Sequence, residues 1–173
     1  NNRKPEGASE STVLGPFHLA DAPERKMGEN ICLDQKGSQV LVKGRVLDTE
    51  GNPIKGAKID VWQANDDGFY DVQQKGIQPD FNLRGVFRTG EDGKYWFRAV
   101  KPVHYSIPDD GPVGDLTRAL GRHAWRPAHL HYILSADGYE TLVTHIFDPN
   151  DPYIESDAVF GVKASLLCEY QNV

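Results

Sequence analysis

What most constrains this chain is the recurrence of short runs in which apolar and polar residues alternate, each closed by a turn cluster. From Gln39 to Leu47 (QVLVKGRVL), Val40, Val42 and Val46 alternate with more polar neighbours, TEGNP follows, and the alternation resumes at Ala57 in AKIDVW. Residues two apart on a strand share a face, so this pattern predicts a strand, a turn and a strand, each half-buried. Further strands are expected at VFRT, at YWFRAV after the EDGK turn, at AHLHYIL, at TLVTHIF and at GVKASLL. Only DLTRALG reads as helical, with Asp115 as its N-cap and Gly121 as its stop. The expected fold is therefore mainly β, a β-sandwich of two sheets with long loops and a short helix.

Residues 1–11 are polar and lack periodicity, and are expected to form an arm or the stub of a further segment. Residues 12–173 are expected to form one domain, since chains of this size bury roughly 70% of their unfolded surface. The net charge of −6 speaks against a nucleic-acid or anionic-membrane partner. There is no run near the ~20 apolar residues of a membrane span, nor a signal-peptide core, so a cytoplasmic chain is expected. Cys32 and Cys168 lie far apart without a CxxC pair, and are expected to be reduced core thiols.

The stretch RPAHLHYIL carries two histidines at i and i+2. On a strand His129 and His131 would stand side by side while Leu130 and Tyr132 face the other way. That geometry suits a shared metal, and equally suits two hydrogen-bonded histidines on a polar sheet face. Imidazole alone is compatible with Zn, Cu, Fe or Ni. No Cys and no HExxH-type carboxylate lies nearby, which weakens zinc-hydrolase chemistry. Tyrosinate, a hard anionic donor, would favour Fe(III). From the residues alone, however, Tyr70 in NDDGFYD and Tyr105 in KPVHYSIP read as turn tyrosines with their hydroxyls in water.

Taken together, VWQANDDGFYDVQ, FNLRGVFRT, KPVHYSIPDDGPVG, GRHAWRPAHLHYILSADGYETLVTHIF and SDAVFGVK resemble the intradiol ring-cleaving dioxygenases, in the branch that acts on catechol and hydroxyquinol. The resemblance runs from about Ser11 to the end of the chain. It implies a mononuclear non-haem Fe(III) held by Tyr70, Tyr105, His129 and His131 at the end of a β-sandwich. It also implies that O2 and a small aromatic diphenol are the partners, both oxygen atoms being inserted into the ring. Tyr105 would leave the metal on substrate binding and take up a proton, whereas Tyr70 would stay.

Arg126 would stabilise the charged substrate, because a fixed cation in a dry pocket acts strongly on developing charge; the alternative is a surface salt bridge. His145 would be a polar neighbour of substrate and O2, or a satisfied strand histidine. Val13, Leu14, Gly15, Pro16, Ile107, Pro108 and Val159 resemble the pocket lining of the hydroxyquinol-cleaving members, so conversion of hydroxyquinol to maleylacetate is expected ahead of catechol or substituted catechols to cis,cis-muconates. His18, His104 and His123 have no motif support and are expected to be structural. Relatives carry an N-terminal helical segment of roughly a hundred residues that forms a dimer contact, so a homodimer is implied only where that segment exists. The strand, turn, strand pattern also resembles transthyretin-like binding modules without chemistry, a reading that leaves RPAHLH, GFYD and PVHY unexplained.

Overall fold

The computed structural model describes residues 5–171. The first four residues of the expected arm, and residues 172–173, lie outside the described residues. Among the described residues eight strands form in chain order: β1 (Gln39–Arg45), β2 (Lys58–Trp62), β3 (Arg84–Arg88), β4 (Lys94–Val100), β5 (Tyr105–Ser106), β6 (Trp125–Arg126), β7 (His129–Ser135) and β8 (Leu142–Phe147). They make a four-stranded antiparallel sheet in the order β3-β2-β7-β8, a β1-β4 ribbon and a two-residue β5-β6 ladder.

The sandwich exists because the alternating positions of both layers meet. Val40, Val42 and Val46 from the first run pack with Phe97 and Ala99 of β4 against Ile59, Val61, Phe87, Leu130 and Tyr132 of the larger sheet. Phe87 and Phe97 stack across the layers with centroids 4.8 Å apart. The opposite face of the larger sheet is covered too, by loops carrying Phe17 and Tyr70 and by Tyr105 of β5, against Trp62. Among the described residues no helix is long and apolar enough to cross a membrane.

The structure departs from the expected elements at four places. GVKASLL is not a strand: Ala164–Leu166 is a 3-10 turn, and only Leu167 bridges Phe147. Leu166 is buried there and Leu167 exposed, so the apolar pair reflects one anchor rather than a paired edge. The helix, α1 (Pro112–Ala119), has Gly111 at its N-cap and proline in its first turn, which leaves Asp115 inside it, ion-paired to Arg118. Gly121, with φ +64°, does follow its end. Both cysteines are free, but Cys168 is exposed and only Cys32 belongs to the core. The β5-β6 ladder was not legible as strands, because two residues are too few to show a period.

Candidate metal centre

Three local devices deliver the four donors. Asn65 Oδ1 accepts the N–H groups of Asp67 (3.1 Å) and Phe69 (2.9 Å), making the tight turn that precedes Tyr70. Gly68 sits in that turn at φ +83°, and a Cβ there would lie 3.1 Å from Tyr105 Cβ, so only glycine lets the two tyrosine segments touch. Tyr70 is then held from both sides, its N–H donating to Gln73 Oε1 and its carbonyl accepting from Gln73 N–H, each at 2.9 Å. Tyr105 stands on β5 opposite Arg126 on β6. His129 and His131 project from β7 on the face away from Leu130 and Tyr132, which are in the core.

These four side chains converge. His129 Nε2 lies 3.2 Å from His131 Nε2, His131 Nε2 lies 3.0 Å from Tyr70 Oη, and Tyr70 Oη lies 3.4 Å from Tyr105 Oη. Donors at about 2.0–2.1 Å around one first-row metal ion are separated by about 2.9–3.4 Å, so these spacings fit a single ion. The His129 tautomer is set as well: Nδ1–H donates to the Pro127 carbonyl at 2.6 Å, which turns the Nε2 lone pair inward. Tyr70 and Tyr105 are only 1% and 4% exposed, so neither hydroxyl is in water as the residues alone had suggested.

The electrostatics call for a cation. Burial, then the neighbouring Tyr105, pushes the Tyr70 phenol well above its usual range, against the pull of Arg126 and Arg84. Burial first, with Arg126 and His145 adding to it, holds the imidazoles of His129 and His131 well below theirs. Neutral imidazoles therefore face the Tyr70 phenol, whose ionisation added positive charge would favour, a donor set that suits a bound metal ion. His145, fully buried and pushed down to about 3 by burial and Arg126, brings a third imidazole whose ligand atom lies within 4.8 Å of those of the other two. Its Nδ1 meets Thr12 Oγ1, and its Nε2 has no hydrogen-bond partner.

Arg126 is buried rather than part of a surface salt bridge. Its Nε donates to Asp157 Oδ1 at 3.1 Å, while Nη1 lies 3.2 Å from His129 Nε2 and 3.5 Å from Tyr105 Oη. Burial works against its charge, yet Tyr105 and Asp157 together keep its pKa raised. Of the expected lining residues, Gly15 lies where a Cβ would come within 3.3 Å of His131. Ile107 packs against the Trp62, Tyr70 and Tyr105 cluster, and Val159 N–H donates to Asp157 Oδ1 at 3.3 Å. Val13, Leu14, Pro16 and Pro108 are exposed. His18, His104 and His123 have partners of their own in Asp60, Asp151 and Ser156.

Several neighbours were not singled out from sequence. Phe17 stacks on Tyr70 with centroids 4.5 Å apart, Trp62 stacks on His131 at 4.6 Å, and Arg84, Asp71 and Asp157 are buried charges beside the donors. The available signal was the arginine that opens RGVFR, which must find a carboxylate if buried.

The Dioxygenase family model matches residues 13–173. The chain is 77% identical over 173 residues to the hydroxyquinol 1,2-dioxygenase of Rhizobium sp. (strain MTP-10005), covering 100% of this chain and 59% of that protein. It is 41% identical over 175 residues to the catechol 1,2-dioxygenase of Candida albicans (strain SC5314 / ATCC MYA-2876), covering 100% of this chain and 58% of that one. The solved hydroxyquinol 1,2-dioxygenase of Pseudomonas putida DLL-E4 superposes with a TM-score of 0.94 at 50% identity, covering 98% of this chain and 59% of that chain. The chain thus spans about three fifths of the length of these relatives.

Proposed function

Because the chain belongs to the dioxygenase family, in its intradiol ring-cleaving group, we propose that it binds one non-haem Fe(III) through Tyr70, Tyr105, His129 and His131 and cleaves hydroxyquinol with O2 to maleylacetate. The observation that carries the chemistry is the convergence of two phenol oxygens and two imidazole nitrogens at spacings of 3.0–3.4 Å inside a buried cluster. The choice of hydroxyquinol over catechol rests on the 77% against 41% identity to the respective relatives.

When bound, ferric iron would supply Lewis-acid binding of the two vicinal oxygens of the diphenol and the redox chemistry with O2. The protein supplies the rest. The Tyr105 oxygen, 3.5 Å from Arg126 Nη1, is the proton acceptor for a substrate hydroxyl, and the guanidinium offsets the charge that develops there. Asp157 holds that guanidinium in place. Gly15, Ile107 and Val159 bound the ring, and His145 offers an unpartnered Nε2 to a polar substituent or to oxygen. Both atoms of O2 enter the product as the carbon–carbon bond between the two hydroxylated carbons breaks, so one O2 is consumed per ring.

The test is a visible spectrum of the Fe(III)-loaded chain before and after anaerobic addition of hydroxyquinol, followed by oxygen uptake with hydroxyquinol and with catechol. A phenolate-to-iron band that shifts to longer wavelength with the triol, then one O2 consumed per ring, is expected. Much faster turnover of catechol would replace the substrate assignment. A chain that stays colourless with Fe(III) would remove the iron reading.

A further inference from the structure

The two tyrosines meet at one point but are held very differently. Tyr105 rides on β5, whose two residues pair only with the two residues of β6. Tyr70 is followed directly by Asp71, a buried carboxylate with both oxygens engaged. Oδ2 accepts the Phe81 N–H at 3.0 Å, and Oδ1 accepts Arg84 Nε at 2.7 Å, with Nη2 in ion-pair contact at 2.6 Å but not aligned as a hydrogen bond. Arg84 Nη1 donates to the Phe17 carbonyl at 2.6 Å, and the Phe17 ring stacks on Tyr70. The guanidinium carbon lies 6.0 Å from the Tyr70 ring centroid.

Arg84 also lies in a row that crosses the four-stranded sheet. It is in register with Trp62, Trp62 with His131, and His131 with His145. One cation, 1% exposed, thus joins the segment after Tyr70, the ring above it and the strand row that carries His131. Replacing a buried ion pair by apolar residues is often neutral or stabilising, so fold stability alone is a weak account of this one. Its geometry is specific to arginine, whose planar fork reaches two acceptors where lysine presents a single point charge.

We propose that Arg84, acting with Asp71, is a positioning residue that clamps Tyr70 in place as a phenolate ligand. The inference rests on the iron reading above. The same cation draws on the Tyr70 ring, so it also tunes how readily the bound phenolate gives electron density to iron.

The experiment uses the full chain loaded with Fe(III) and without substrate. It reads the phenolate-to-iron band and the rate of iron transfer to a strong chelator in wild type, Arg84→Lys, Arg84→Gln, Asp71→Asn and Phe17→Leu. The control is Thr89→Val, which removes a buried hydroxyl bonded to Ala57 N–H and the Ile54 carbonyl beyond the other end of β3. Arg84→Lys and Asp71→Asn should release iron at least about tenfold faster, the scale on which removing a neighbour of a metal ligand acts. Arg84→Gln should also move the band to longer wavelength, whereas Arg84→Lys, keeping the charge, should leave it near the wild-type position. Thr89→Val should match wild type in both.

Wild-type iron release from the clamp variants would overturn the proposal, as would Thr89→Val losing iron as fast as Asp71→Asn. Should the buried-pair variants fail to fold, Phe17→Leu carries the test: faster release supports the clamp and wild-type release overturns it. Wild-type protein that takes up no Fe(III) would overturn the iron reading, and the clamp with it, a result distinct from iron bound equally well by every variant.

Discussion

Arg126 keeps its charge in a buried position because two partners compensate it: the Asp157 carboxylate and the Tyr105 oxygen. Arg126→Ala is therefore expected to retain iron while kcat falls by roughly 10²–10³, the usual cost of removing one donor to developing charge; iron content and steady-state rates on the same sample check it. Tyr70→Phe or His131→Ala should lower iron retention and turnover together, read by metal analysis after gel filtration. For His145→Ala, iron should stay and the hydroxyquinol to catechol rate ratio should change; equal ratios would remove His145 from substrate contact. At this scale the histidines were legible as a pair from their i, i+2 spacing. Tyr70 and Tyr105 were legible only through motif resemblance, because nothing in a turn sequence tells whether a hydroxyl ends in water or under a sheet.

Among the elements, β7 has the double task of filling the core with Leu130 and Tyr132 while presenting His129 and His131 on its other face. A one-residue slip would exchange the two sets, so the core itself holds the histidines in register. Phe87 on β3, stacked on Phe97, is part of that core. Phe87→Ala is expected to cost about 3–5 kcal/mol. For a chain of this length that lowers Tm by roughly 2–4 °C per kcal/mol, measurable by thermal melting without metal. The alternation made β1, β2, β4, β7 and β8 readable. It misread GVKASLL, where one buried leucine anchors a 3-10 turn, and the capping signal misplaced the helix start at Asp115, because proline in the first turn had already started the helix.

Across the whole molecule the buried imidazoles tie stability to pH. His145 is held at about 3, and His129 and His131 are also well below their usual range. The unfolded chain takes up protons below about pH 6.5 that the folded chain refuses, so metal-free stability should be full above that pH and fall as pH drops toward 3, by up to ~1.4 kcal/mol per pH unit for each histidine. Melts at pH 7 and pH 5 test the sign, and an unchanged Tm would contradict the neutral histidine cluster. What the sequence by itself determined was the sandwich and its turns, since strand alternation and turn chemistry are local, together with the family, which ordered motifs reveal. Only the tertiary structure decided that Phe17, Trp62, Asp71, Arg84 and Asp157 surround the donors, because burial and pairing between residues far apart in the chain depend on how loops fold over a sheet face, and no local period records that.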